Sequence, residues 1–388
     1  MLTTLAIEGY RSLRHLIVPL APLTVITGAN GTGKSSVYRS LRLLAAAASN
    51  GAIAALAREG GMSSTLWAGP ESIARSVRAG EFSVQGTRRS GPISLKLGFA
   101  SDEFSYAMEL GIPASVGPTL FAQDPEIKTE AVWSGGVLRP STLLTERHGP
   151  AVRIRDSAGE WAPHDHRLRP YDSMLSEFAD PRAAPELLAL REQIRSWRFY
   201  DHFRTDADAP ARHPQLGTRT PVLSADGSDL AAALETVREL GSGELNSAIE
   251  AAFPGSSVRV EQRDGWFTVS MTQPGMLRSL GAAELSDGTM RYLLWVAALL
   301  SPRPPALLVL NEPETSLHPD LVEPLAGLIA AASTRSQVIV VSHSSRLLAA
   351  LDASRADVAR IDLVKDLGET FVQGQGALDE PVWHWPKR

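Results

Sequence analysis

The chain has 388 residues, 44% hydrophobic and 21% charged, ordinary values for a globular protein and room for about two to three domains. Its longest apolar run, Leu293 to Leu300, falls far short of the ~20 residues of a membrane-spanning helix, which excludes a helical integral-membrane role. Cysteine is absent, so disulfides, thiolate zinc sites, iron–sulfur clusters and cysteine nucleophiles are excluded as well.

The net charge is −5, and only five of the 38 basic residues are lysines. No local basic patch announces a nucleic-acid surface. Met1-Leu2-Thr3-Thr4 has neither the basic nor the apolar region of a secretory leader. The expected compartment is the cytoplasm, with no membrane partner.

In chain order, strands are expected at Leu2 to Glu8, Leu13 to Val18 and Leu23 to Thr27, then a helix from Ser35 to Ala48. A Gly/Ser-rich loop from Gly60 to Gly69 precedes a hairpin of Ile93 to Ala100 and Phe104 to Ile112. Residues 113–180 are punctuated by Pro and Gly, with short strands at Glu130 to Trp133 and Ala151 to Arg155. A helix over Pro185 to Tyr200, a loop over Thr205 to Pro221 and a helix over Asp229 to Leu240 follow. Val258 to Glu261 and Trp266 to Met271 flank an Asp264-Gly265 turn, a hairpin signature. The last hundred residues alternate regularly: helix Asp287 to Leu300, apolar strand Ala306 to Leu310, helix Asp320 to Ala332, apolar strand Val338 to Val341. Continuous apolar strands of this kind imply a mostly parallel sheet covered on both faces.

Four elements carry chemistry. Gly28-Ala29-Asn30-Gly31-Thr32-Gly33-Lys34-Ser35 fits the P-loop pattern and stands between a buried strand and a helix. Its glycines let backbone N–H groups turn toward a phosphate at a helix N-terminus. Lys34 can then bridge the β- and γ-phosphates while Ser35 ligates Mg2+. Leu307-Leu308-Val309-Leu310-Asn311-Glu312 is an apolar strand ending in polar residues, with Glu312 the candidate base. Ser286-Asp287-Gly288-Thr289 opens a helix with a good N-cap, Ser286, and an open first turn at Gly288. His343 follows a buried strand at its carboxyl end, where ligands gather in open α/β sheets. His164-Asp165-His166, in a Pro-rich loop without a third ligand in view, reads as solvated surface rather than a metal site. Trp383 and Trp385 read as anchors for the C-terminal tail.

Together these elements resemble the head of ABC ATPases, in the branch containing RecF, SMC proteins and DNA-repair ATPases. Leu5-Ala6-Ile7-Glu8-Gly9-Tyr10-Arg11-Ser12-Leu13 resembles that branch's N-terminal strand. Glu312-Pro313-Glu314-Thr315-Ser316-Leu317-His318-Pro319 is similar to its Walker B and D-loop, and Ser286-Asp287-Gly288-Thr289 to a degenerate signature motif. The likeness is closest to small stand-alone bacterial ATPases carrying the generic AAA label. It covers residues 1–45 and 280–345 strongly and the middle weakly.

The resemblance implies an α/β P-loop NTPase, an ABC-type head with a mixed sheet, an antiparallel β-subdomain and an inserted helical lobe. The head would span 1–388: 1–120 with the P-loop, 121–280 inserted and helical, and 281–388 with signature helix, Walker B, D-loop and switch histidine. It also implies that Gly28, Ala29, Asn30, Gly31, Thr32, Gly33, Lys34, Ser35 and Ser36 bind ATP. Ser35 would hold Mg2+ with Asn311 beside it, Glu312 would be the hydrolytic base, and His343 would sense the γ-phosphate. Arg11 would approach the nucleotide. Ser286 and Gly288 would contact ATP on a second subunit, with Ser316 and Leu317 at the seam of an ATP-bound homodimer. The sequence does not place the family's Q-loop glutamine.

Where the family has Asp-Glu this chain has Asn311-Glu312. A neutral amide lacks the charge a carboxylate gives to the magnesium waters, so slow hydrolysis is expected. The function implied is an ATP-driven dimerisation switch in DNA repair or phage defence, with DNA or a separate effector as partner. Its alternatives are a nucleotide-binding regulator with little turnover and an ABC-transporter ATPase subunit. The long irregular stretch between P-loop and signature argues against the transporter.

Overall fold

The computed structural model describes residues 1–49, 51–69, 94–113, 119–156, 159–163, 167–178, 180–241, 243–376 and 378–387. His164-Asp165-His166 and Ile93 lie outside them. The chain divides into two compact units, Met1–Ala21, Ile26–Ser196 and Ile361–Arg388 in the first, and Pro22–Val25 and Trp197–Arg360 in the second.

The chain opens on β1 (Leu2–Tyr10), β2 (Leu13–Pro19) and β3 (Leu23–Gly28), then the helix Lys34–Ala47, each within two residues of expectation. Next come β4 (Ser94–Ser101), β5 (Phe104–Gly111), β6 (Glu126–Ser134), β7 (Leu143–His148), β8 (Ala151–Arg155) and β9 (Trp161–Pro163). In the first unit these form an eight-stranded antiparallel sheet in the order β2-β1-β4-β5-β6-β7-β8-β9.

Two expectations need correction in the first unit. The stretch Gly60 to Gly69 is not all loop, because Gly61–Thr65 forms a short helix whose Thr65 hydroxyl bonds back to the carbonyl of Gly61. Residues 113–180 hold far more strand than their punctuation suggests, and β7 escapes the alternation test altogether. The reason is electrostatic. Glu146 and Arg147 both lie buried in β7, so charges occupy positions where a pattern search expects apolar side chains.

Arg147 and Glu130 are fully buried and paired at 2.9 Å. The remaining donors of Arg147 go to the carbonyls of Gly149, Arg169 and Asp172. Glu130 also accepts from the Tyr106 hydroxyl and the Met174 amide. Burial, with this carboxylate beside it, pushes the Tyr106 phenol well above its ordinary pKa. Removing one partner of such a pair strands the other charge in a medium of low dielectric. Arg147→Met should therefore cost about 3–5 kcal/mol in urea unfolding. The double variant Glu130→Gln/Arg147→Met should recover much of the loss, and equal losses in both would contradict this reading.

The second unit contains β10 (Arg198–Tyr200), β11 (Gln215–Leu216), β12 (Ser257–Arg263), β13 (Trp266–Thr272), β14 (Leu280–Gly281), β15 (Leu307–Asn311) and β16 (Gln337–Val341). β17 (Val358–Asp366) and β18 (Glu369–Val372) close the chain. In the second unit the mixed sheet runs in the order β10-β15-β16, with the start of β3 beside β16. Within the second unit β10, β15 and β16 are parallel, with Leu310 opposite Tyr200 on one side and Val340 on the other. The start of β3 joins through the Val338 amide, 2.8 Å from the Pro22 carbonyl. β17 and β18 pair antiparallel. Leu307–Leu310 and all of β16 are buried, as continuous apolar strands covered on both faces must be.

The helix Asp287–Leu299 is apolar nearly all round and almost entirely buried, the centre of a core that includes Tyr200, Trp295, Leu310 and Val340. A smaller sheet, β11-β13-β12 with β14 beside β13, turns at Asp264 (φ 51°) and Gly265 (φ 85°), the left-handed pair a two-residue hairpin requires. The helix expected over Pro185 to Tyr200 stops at Arg195, and its last three residues become β10. Phe199 and Tyr200 are good strand formers, and pairing with β15 overrides the helical spacing. Segment 121–280 thus begins as sheet in β6 to β9 and carries α-helices only at Met174–Glu177, Pro185–Arg195, Leu230–Leu240 and Glu244–Ala252 among the described residues, with a single 3-10 turn at Pro210–Arg212.

No described helix is long and apolar enough to cross a membrane. Trp383 stacks edge-on against Trp133, with ring centroids 5.6 Å apart, and Trp385 packs against Trp383. The tail is anchored where the tryptophans predicted it.

Candidate functional site

In the first unit the P-loop leaves β3 through three left-handed glycines, Gly28, Gly31 and Gly33. Two of them also stand where no side chain fits. A Cβ on Gly28 would lie 2.3 Å from the Leu363 carbonyl oxygen, and one on Gly33 would lie 2.6 Å from the Thr370 hydroxyl. That hydroxyl donates to the Thr32 carbonyl (2.7 Å) and lies 2.8 Å from Ser12 Oγ. β18 and the β1–β2 turn therefore clamp the loop's shape.

Lys34 is 5% exposed. Its ammonium spans the loop to the carbonyls of Gly28 (2.6 Å) and Ala29 (3.0 Å). Ala29, Asn30, Gly31 and Ser35 are exposed, whereas Thr32 and Ser36 are buried. No side chain caps the helix that follows, so its first turn offers N–H groups and positive potential to an anion. Arg11, in a left-handed conformation (φ 51°), pairs with Glu59 at 2.8 Å.

The second unit holds the polar strand ends. Glu312 follows β15 in a left-handed conformation (φ 48°), its amide donating to the Val341 carbonyl at 2.7 Å. This bend turns its carboxylate toward His343, whose Nδ1 stands 3.3 Å from Glu312 Oε1. Both side chains are partly exposed, His343 at 49% and Glu312 at 37%. Ser342 donates to Glu314, and the Ser344 amide bonds back to Ser342 Oγ at 3.0 Å. Asn311 lies one step before Glu312 and donates from Nδ2 to Asp201 Oδ1 at 2.6 Å.

Ser286 caps the helix Asp287–Leu299, its Oγ accepting from the Thr289 amide at 3.2 Å. Gly288 lies beside Ser316, in the turn that follows Glu312. A Cβ added at Gly288 would meet only the Ser316 carbonyl, at an ordinary 3.8 Å.

Sequence reading missed the two buried arginines that hold these loops. Arg212 donates to the carbonyls of Thr205, Ala282 and Leu285 and to Asp287 Oδ1, all within 2.8 Å. Arg291 donates to the carbonyls of Thr315 (2.7 Å) and Phe203 (3.2 Å), and burial holds its pKa below the ordinary arginine value. One arginine fixes the helix cap, the other the turn at Thr315. Both reach the segment around Thr205, and neither carries a local sequence signal.

The chain matches the AAA_21 family, described as "AAA domain, putative AbiEii toxin, Type IV TA system", over residues 23–349. It belongs to that family. Its fold is also that of solved heads. The Smc head domain with a coiled coil and joint derived from Pyrococcus yayanosii aligns at a TM-score of 0.51 and 11% identity, covering 97% of this chain and 98% of that one. A SmcHead bound to the C-winged helix domain of ScpA aligns at 0.49 and 14%, covering 96% and 97%. No curated protein matches the sequence. This AAA_21 chain is thus a P-loop ATPase-type protein with an α/β fold like an SMC head, containing a mixed parallel sheet and an antiparallel one.

Proposed function

We propose that this AAA_21 protein is an ATPase whose ATP-bound form is a homodimer, a slow conformational switch in DNA maintenance or defence. The observation that carries the reading is the pairing of Glu312 with His343 at the ends of adjacent parallel strands, at 3.3 Å. A carboxylate held by a bent backbone beside an imidazole can accept a proton from an attacking water while the imidazole meets the departing phosphoryl oxygens.

Gly28 to Ser36 would wrap the triphosphate, with Lys34 exchanging its carbonyl partners for phosphate oxygens. Mg2+, where bound, neutralises charge developing on the β- and γ-phosphates. Each unit offers a feature that fits the ion: in the first, the exposed Ser35 hydroxyl at the helix start; in the second, the buried Asn311 Oδ1, which has no hydrogen-bond partner among the described residues. Ser35 would ligate the ion, and Asn311 offers an acceptor for a metal-bound water.

The trans contact is assigned to Ser286 and Gly288 because the helix they open starts with an exposed Ser286 and Asp287 and a half-buried Gly288 beside Ser316. The toxin–antitoxin term in the family's description favours defence, with a separate effector, over repair. Direct DNA binding is the less supported partner, given the net charge of −5.

Complementation tests the dimer. Gly288→Ala places a methyl where only one carbonyl waits at 3.8 Å, so the variant should fold as the wild type and lose turnover. Lys34→Ala should also be inactive. In an isologous pair of heads, mixing the two leaves one intact site in each heterodimer, so about a quarter of wild-type turnover per chain should return. No recovery from two folded variants would sink the trans assignment.

A further inference from the structure

We infer that Asp201 supplies, through Asn311, the negative charge that the Walker B strand of this chain lacks, and is a positioning residue for the magnesium waters. The inference rests on the ATPase reading above.

β10 and β15 run parallel, with Tyr200 opposite Leu310. The next residue on each strand is Asp201 and Asn311, so the two side chains emerge together at the carboxyl end of the sheet, where α/β folds gather ligands. They meet there: Asn311 Nδ2 donates to Asp201 Oδ1 at 2.6 Å, across 110 positions of sequence.

The bond decides which way the amide points. An ionised carboxylate only accepts, so it takes the NH2 end of Asn311 and turns the carbonyl oxygen away from itself. That oxygen, Asn311 Oδ1, is buried and has no hydrogen-bond partner among the described residues. Buried acceptors are rarely left so, and this one wants a donor. A water held by a divalent cation is a donor of the right kind.

The carboxylate also changes what the amide can do. A charge-assisted hydrogen bond at one end polarises the amide and makes its oxygen a stronger acceptor. The pair thus places one negative charge and one oriented oxygen where a single aspartate would place both. Asp201 is exposed, so it carries its charge without the cost of burial, and Asn311 passes the effect inward.

The test is metal affinity in the full chain. Mn2+ is titrated by electron paramagnetic resonance with a non-hydrolysable ATP analogue present, alongside binding of the analogue in EDTA and thermal unfolding. Asp201→Asn should weaken Mn2+ affinity roughly tenfold, as removal of a group supporting a metal's immediate partners commonly does. Its binding of the analogue in EDTA and its melting temperature should stay near the wild type. The exchange variant Asp201→Asn/Asn311→Asp returns the carboxylate to the Walker B strand and should restore Mn2+ affinity.

An unchanged Mn2+ affinity in Asp201→Asn would overturn the inference while leaving the ATPase reading intact. So would an exchange variant no better than Asp201→Asn. A wild-type chain that binds the analogue equally with and without metal would overturn both.

Discussion

Glu312→Gln is expected to lower ATP turnover by about two to three orders of magnitude, the usual worth of a positioned general base, while leaving ATP binding intact. The substitution keeps the shape of the side chain. It leaves the Glu312 amide on the Val341 carbonyl and the Glu312 carbonyl on the Thr315 amide, so the left-handed bend at φ 48° survives. What it removes is a proton acceptor 3.3 Å from His343 Nδ1. Phosphate release under saturating ATP measures the effect. A loss of less than tenfold would move the base elsewhere, and weakened ATP binding would mean that Glu312 shapes the pocket instead.

Lys34→Ala is expected to abolish measurable nucleotide binding. A charge-assisted hydrogen bond is worth about 1.5–3 kcal/mol, and an ammonium facing two phosphates makes two, about 3–6 kcal/mol together, so affinity should fall roughly a hundredfold or more. Lys34 also ties the loop to itself through Gly28 and Ala29. Thermal unfolding without nucleotide separates the two roles: Thr370 and Ser12 still hold the loop, so the melting temperature should change little. Calorimetric titration with ATP reads the binding. Lys34→Arg should fail as well, because a planar guanidinium cannot occupy the compact position of an ammonium between two carbonyls.

The P-loop was fully legible in the sequence because its chemistry is local. Strand, glycines, lysine and helix follow one another within twenty residues, and each demand on φ or charge falls on a residue named by the pattern. Glu312 and His343 were legible for a similar reason, since both end apolar strands long enough to be recognised. β7 was not, because its buried Glu146 and Arg147 satisfy one another's neighbours across the sheet rather than following an apolar rhythm. β10 was hidden inside a helical spacing that only its pairing with β15 defeats.

Asp201 and Arg212 were illegible in a deeper sense. Asp201 matters through a partner 110 positions away, and Arg212 through three carbonyls and a carboxylate brought to it by the fold. Nothing in their immediate sequence distinguishes them from the chain's other aspartates and arginines. The expected weakness of Asn311 as a neutral amide followed from the sequence; its carboxylate neighbour emerges only from strand register.

Light scattering of the purified chain with ATP, with ADP and without nucleotide, for wild type and Glu312→Gln, decides whether ATP pairs the heads. The expected mass is that of one chain without nucleotide and with ADP, and of two chains with ATP, the dimer persisting longest in Glu312→Gln because hydrolysis no longer reopens it. A mass that ignores nucleotide in both proteins would contradict the pairing and leave Ser286 as no more than the cap of a buried helix.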